Sequence, residues 1–227
     1  MTDWLRRRAV LLVLLAVLAP ALYVWHAQHN LASRTIDRLN SARAAQGVAP
    51  FVPPAGYYSA PAAAQLVAII NNERAQRGLP LGLVSTLDSG LITQSLAANR
   101  DPVPIVNVPG VVMASSIWGW SSMGSVANTA KMGTAIEYID YSWVYNDGWA
   151  GTLAQTTNAD CVSLTAIGCN AHRRAILRPN PPGTTLVIIA GASSSVSVQG
   201  DPYGTSAAAE LVWTKDPAQF SAHAPTL

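Results

Sequence analysis

Pro61-Ala62-Ala63-Ala64-Gln65-Leu66-Val67-Ala68-Ile69-Ile70-Asn71-Asn72-Glu73-Arg74-Ala75-Gln76-Arg77-Gly78-Leu79-Pro80-Leu81 is the stretch on which the reading of this chain turns. Pro61 suits the first turn of a helix, where a missing N–H is lost at little cost, and Gly78 followed by Pro80 stops it. Between them Leu66, Ile69 and Ile70 form one apolar stripe that gives way to the polar run Asn71–Arg74. A domain that begins near Ser59 therefore opens with an amphipathic helix.

Downstream, the pattern predicts a second helix over Asp88–Asn99, with Leu91, Ile92 and Leu96 inward and Asp101-Pro102 as its stop. Val103–Val112, with Pro104 and Pro109 inside it, reads as loop. Met132, Ile136, Ile139 and Trp143 recur at spacings of 4, 3 and 4, which marks Asn128–Tyr145 as helical. A short helix over Asn170–Leu177 closes at Pro179, and strands follow at Thr185–Ala190, Ser195–Gln199 and Ala208–Thr214. On the last strand Glu210 is expected to face solvent. Helices first and a hairpin-rich strand set last make the class α+β, not alternating βαβ.

Upstream, Arg6-Arg7-Arg8 precedes Ala9–Trp25, a run without charge. Such a run meets the lower limit of about 17 residues for a spanning helix, and the basic flank (residues 1–8) places everything after it outside. Two readings fit: a single-pass anchor in the cell membrane, or a signal peptide cleaved after Ala19-Pro20-Ala21, which would make the protein secreted. Either way the domain is exported. Residues 26–61 read as a stalk ending in a linker with Pro50, Pro53, Pro54, Gly56 and Pro61. The domain is then 62–216, with 217–227 as a tail.

Charge excludes one large class. The chain has 227 residues, 14 Lys+Arg and 12 Asp+Glu, for a net of +2. Residues 51–227 hold eight basic and ten acidic residues, so the domain lacks the basic surface of a nucleic-acid binder.

Four segments carry a resemblance. Asn71–Leu81 is similar to the first-helix signature of bacterial SCP-like extracellular domains, and Ser116-Ile117-Trp118-Gly119 resembles a strand of that family. Trp143-Val144-Tyr145-Asn146-Asp147-Gly148 and Cys161 with Gly168–Leu177 resemble two further family motifs. These domains belong to the CAP superfamily of cysteine-rich secretory, antigen 5 and pathogenesis-related proteins. The resemblance spans residues 65–178 and implies a three-layer α-β-α sandwich.

It also implies a cleft where many members converge two His and two Glu on a divalent metal. Only His172 has a clean counterpart here. No His stands in Asn99–Pro102, Ser115 or Ser116 replaces one Glu, and Asn146 beside Asp147 replaces the other. Amides and hydroxyls do not offset the cost of dehydrating a cation, so neither metal nor cofactor is expected. The implied cleft residues are His172, Asn146, Asp147, Ser116, Trp118 and Asn99. Two functions fit them. One is a membrane-tethered binding module for a lipid, glycan or protein ligand of the cell envelope. The other is a hydrolase in which His172 works with Asp147 or Glu137. Gly119–Gly124 has one residue too many for a Gly-x-Ser-x-Gly elbow, so Ser121 and Ser122 read as a turn. Trp118 and Trp120 share one strand parity, as half a core or as a stacking platform.

Cys161 and Cys169 are the sole cysteines. An even number in an exported chain points to a disulfide, which for so short a loop stabilises by roughly 2–3 kcal/mol. The rival, a metal site from both cysteines and His172, lacks a fourth ligand at zinc spacing. Alkylation without reductant, followed by mass spectrometry of protein from the envelope, is expected to find no free thiol. Two alkylated cysteines would show that the loop is held in another way.

Overall fold

A computed structural model describes residues 35–87, 90–121, 129–147, 163, 170–198 and 201–225, without the side chains of 129–134, 194–198 and 201–203. The apolar run 9–25 and both cysteines lie outside the described residues. Among the described residues no helix is long and apolar enough to cross a membrane.

The architecture is mixed α/β around one five-stranded sheet. Residues 35–45 are helical (α1). Then come α2 (Ala62–Ala75), β1 (Leu83–Ser85), α3 (Leu91–Ala98), β2 (Val111–Ser121) and α4 (Thr129–Tyr141). A π-turn (Ser142–Asn146) extends α4, and α5 (Ala171–Ile176), β3 (Thr185–Val198), β4 (Asp201–Thr214) and β5 (Ala222–His223) follow. The strand order is β2-β4-β3-β1-β5. β1 runs parallel to β3, and every other pair is antiparallel.

Strand periodicity gives the sheet two apolar faces. Ile117, Leu186, Ile188, Leu211 and Trp213 point to one side and pack with Leu66, Ile69, Ile70, Ile136, Ile139 and Ile176 from α2, α4 and α5. Val187, Ile189, Ala208 and Val212 point to the other and meet Ile92 of α3 and Phe220. Each fully buried Leu or Ile contributes about 1.5–3 kcal/mol, so the first face carries most of the apolar stabilisation.

Several expectations change. The stalk expected over 26–61 is, from residue 35 on, part of the domain. Leu39, Phe51 and Tyr57 are buried in the main core. Prolines block regular hydrogen bonding without preventing burial, and Phe51 meets Tyr57 edge-on at 5.5 Å between ring centroids. The tail expected over 217–227 is also docked: Phe220 is buried and β5 pairs with β1. The two short strands at 185–190 and 195–199 are one strand, and the last strand starts at Asp201. The Ala/Gly/Ser residues at 190–195 and 204–209 have weak strand propensity, but pairing on both sides of β4 overrides it. Val111 and Val112 belong to β2 rather than to the preceding loop. Glu210 is fully buried, not solvent-facing.

The polar end of α2 knits these layers. Asn71 bonds both the N–H and the C=O of Gly82, at 2.7 and 3.0 Å. Glu73 accepts from Arg43 of α1, from Arg77 and from the Tyr145 hydroxyl. Arg74, fully buried, donates to the carbonyls of Pro80, Ile176 and Arg178 and to Asn180 Oδ1. Burial pushes its pKa down to about 10.

Replacing Arg74 with Ala takes the donor from three carbonyls and one of two donors from Asn180 Oδ1, at about 1–3 kcal/mol for each acceptor left bare that water cannot reach. Urea unfolding of R74A is expected to show a loss of about 3–5 kcal/mol, against no more than about 0.5 kcal/mol for Val52→Ala on the surface. A loss for R74A as small as the surface control would remove Arg74 from this role.

Candidate functional site

A cleft of about 400 Å³ opens where the end of β2 meets the π-turn and α5. Its lining includes Trp118, Trp120, Tyr138, Trp143, Asn146, Asp147 and His172. The π-turn sets three of these: one wider turn at the end of α4 carries Trp143 inward and delivers Asn146 and Asp147 to the rim. Such turns recur at functional sites because they re-aim side chains within a helix. The Trp143 indole N–H donates to the Trp118 carbonyl at 2.9 Å. Gly119 permits that approach, since a Cβ there would lie 2.7 Å from Trp143 Nε1.

His172 stands at the second position of α5. Its backbone N–H donates to Asp147 Oδ2 at 3.0 Å, so Asp147 caps a helix that its own N-cap side chain leaves open. The ring is held as well. Nδ1 lies 3.0 Å from Asp147 Oδ2 and Nε2 lies 3.6 Å from Asp101 Oδ1. Burial opposes charge on the imidazole, but hydrogen bonding to Asp101 and Asp147 outweighs it and raises the pKa to about 9. At neutral pH the ring is an imidazolium with both nitrogens facing carboxylates. It has no free lone pair with which to accept a proton.

Of the cleft residues expected from sequence, His172, Asp147, Asn146 and Trp118 line this space. Ser116, Asn99 and Glu137 do not. Ser116 shares the sheet parity of Trp118 but lies two residues further along β2 from the cleft, across from Glu210. Asn99 ends α3 in the left-handed conformation, with φ 51°. Glu137 is fully buried between α4 and the turn at Tyr57–Ser59, where it accepts from the Tyr58 hydroxyl at 2.9 Å. Burial raises its carboxyl to about 7, against the Tyr58 hydrogen bond. Glu137 is a core residue, so the acidic partner of His172 is Asp147 alone among the two expected. Trp118 packs its half-buried side chain against the second core and donates to Ser206 Oγ at 2.7 Å. This tryptophan therefore touches both the second core and the cleft.

Asp101 is the partner that sequence reasoning missed. In the sequence it marks only the stop of a helix, yet it falls in the Asn99–Pro102 stretch where the resemblance places an absent histidine. A carboxylate in that stretch was the available signal. Among the described residues no three His, Cys, Asp or Glu side chains converge as a metal site.

No family model, curated protein or solved structure matches the chain.

The raised pKa fixes a pH dependence. Because His172 holds its proton more tightly folded than unfolded, its contribution is full below about 6.5 and is lost as pH rises through about 9. With Asp101 half exposed and solvent screening that side, about 1–2 kcal/mol is expected. The unfolding free energy of the unaltered chain should fall across that window, whereas His172→Asn should flatten the fall. An unchanged slope in the variant would show that other groups set it.

Proposed function

We propose that the chain is an exported CAP-like binding domain, and that its cleft takes a carbohydrate part of a cell-envelope ligand. The observation that carries this reading is the placement of His172: both ring nitrogens face carboxylates, of Asp101 and Asp147, beside an aromatic-lined cleft. A general base needs a pKa near the working pH and an open nitrogen. This imidazolium has neither, which favours binding over the hydrolase alternative. Aromatic side chains offer apolar faces, and the Asn146–Asp147–His172 rim offers donors and acceptors. Flat apolar faces beside convergent polar groups suit a sugar, whose ring has the same two characters.

Two observations support the family part of the reading. The four resembling segments stand in the family's order, and the helices of this chain pack on both faces of its sheet. The basic flank and apolar run at 6–25 support attachment to the membrane, or secretion if the segment is cleaved.

The test incubates the full chain with isolated peptidoglycan sacculi and measures both co-sedimentation and released fragments. Expected are saturable co-sedimentation, reduced at least about fivefold (~1 kcal/mol) in Asn146→Ala, and no fragment release above background. Release of soluble fragments that is lost in His172→Asn would establish the hydrolase instead. Absence of saturable co-sedimentation would remove the carbohydrate reading.

A further inference from the structure

The opposite face of the sheet carries a second arrangement that the cleft does not use. Glu210, in the middle of β4, is fully buried, and neither of its carboxylate oxygens has a hydrogen-bond partner. The Ile105 N–H faces it closely enough to favour the charged form in part, without completing a hydrogen bond of ordinary geometry. Burial prevails, and the carboxyl is raised to about 7. Directly across the β2–β4 ladder stands Ser116, whose Oγ is also buried and unpartnered. Three orphan oxygens thus share one face of two paired strands. Leaving such groups unmet costs more than most single contacts supply, so a native fold that keeps them needs a reason.

On the other side of Glu210 in the ladder is Ile189, part of the floor of a cavity of about 610 Å³. Leu91, Ile105, Val106, Gln219 and Phe220 are among its walls. The interior is apolar, and Leu87, Val103 and Val106 are exposed at the rim. The volume falls within the range of small-molecule sites. The wall segment 103–108 has no helix or strand.

The chemistry of the orphans narrows the occupant. Two carboxylate oxygens and a hydroxyl oxygen present several acceptor sites and only one donor. A carboxylic acid or phosphate would add acceptors and like charge. An alcohol brings one donor. A primary ammonium brings three donors, no acceptor, and the charge that a buried carboxylate lacks. We propose that this face binds a small amphiphile with a protonated primary amine, its head between Glu210 and Ser116 and its apolar body in the cavity beside Ile189.

The experiment is calorimetric titration of the full chain, in a non-ionic detergent at pH 7.5, with three probes of one shape. These are 2-phenylethylamine, 2-phenylethanol and phenylacetate. Saturable one-to-one binding of the amine, at least tenfold tighter than of the alcohol and with none of the acid, is the expected result. Glu210→Gln keeps the shape, removes the charge and should weaken the amine at least tenfold, while its circular dichroism stays that of the unaltered chain. Ser116→Ala should weaken it less. Equal binding of amine and alcohol, amine binding undiminished in a folded Glu210→Gln, or no saturable amine binding up to millimolar concentration would each overturn the proposal. Should Glu210→Gln fail to fold, the ranking of the three probes on the unaltered chain decides alone. None of these readouts involves the His172 cleft.

Discussion

A single guanidinium holds the layers in register. Arg74 is placed by the last turn of α2; its Nε holds the Pro80 carbonyl after that helix, and its two terminal nitrogens serve the path from α5 into the sheet. Ile176 O is an unsatisfied end of α5, Arg178 O lies in the connection, and Asn180 Oδ1 also accepts from the Trp213 indole of β4 at 3.2 Å. An arginine can do this because its five N–H groups leave in one plane at fixed angles, whereas lysine would serve only one point. Remove the head group and α5 loses its stop, the 178–180 turn loses its shape, and Trp213 loses a shared anchor. The cleft depends on this too, since α5 carries His172.

Next to it, the same helix supports a second buried charge system of another kind. Glu73 is shared by Arg43, Arg77 and the Tyr145 hydroxyl. Asp140 lies fully buried close by. Burial and the Glu73 charge push its carboxyl well up, while Arg43 and Arg77 pull it down. The helical layer over the first sheet face is therefore not a simple oil seam. It combines an apolar floor with an ionic upper storey, and the position of α1 is specified by charge as much as by Leu39.

The sequence was legible wherever one residue did one job. Pro61 and Gly78 bracket α2 to within a few residues, because a missing N–H and a φ of 67° have local meaning. The 4-3-4 spacing found α4, although it gave no hint of the π-turn that ends it. Failures came where the cause is tertiary. Prolines between 50 and 61 announced the absence of regular structure and were read as the absence of packing. Glu210 looked like a solvent residue because a carboxylate on an alternating strand usually is one; its neighbours Ser116 and Ile189 come from other strands. For the site, His172 and Asp147 could be named from the motif segments, whereas Asp101 comes from a distant part of the chain and is joined to them only by the fold.

The docking of α1 has a mechanical side. Nine residues, 26–34, separate the apolar run from the first described helical residue, a span of about 30 Å when fully drawn out. A domain hung on a free stalk would tumble at arm's length from whatever holds its N-terminus. Were the run 9–25 held, a pull on it would enter the core through α1, where Arg43 pairs with Glu73. Shear at a surface would load that pair in series with α2. The first event under tension would be peeling of residues 35–45, with the sheet still intact behind them.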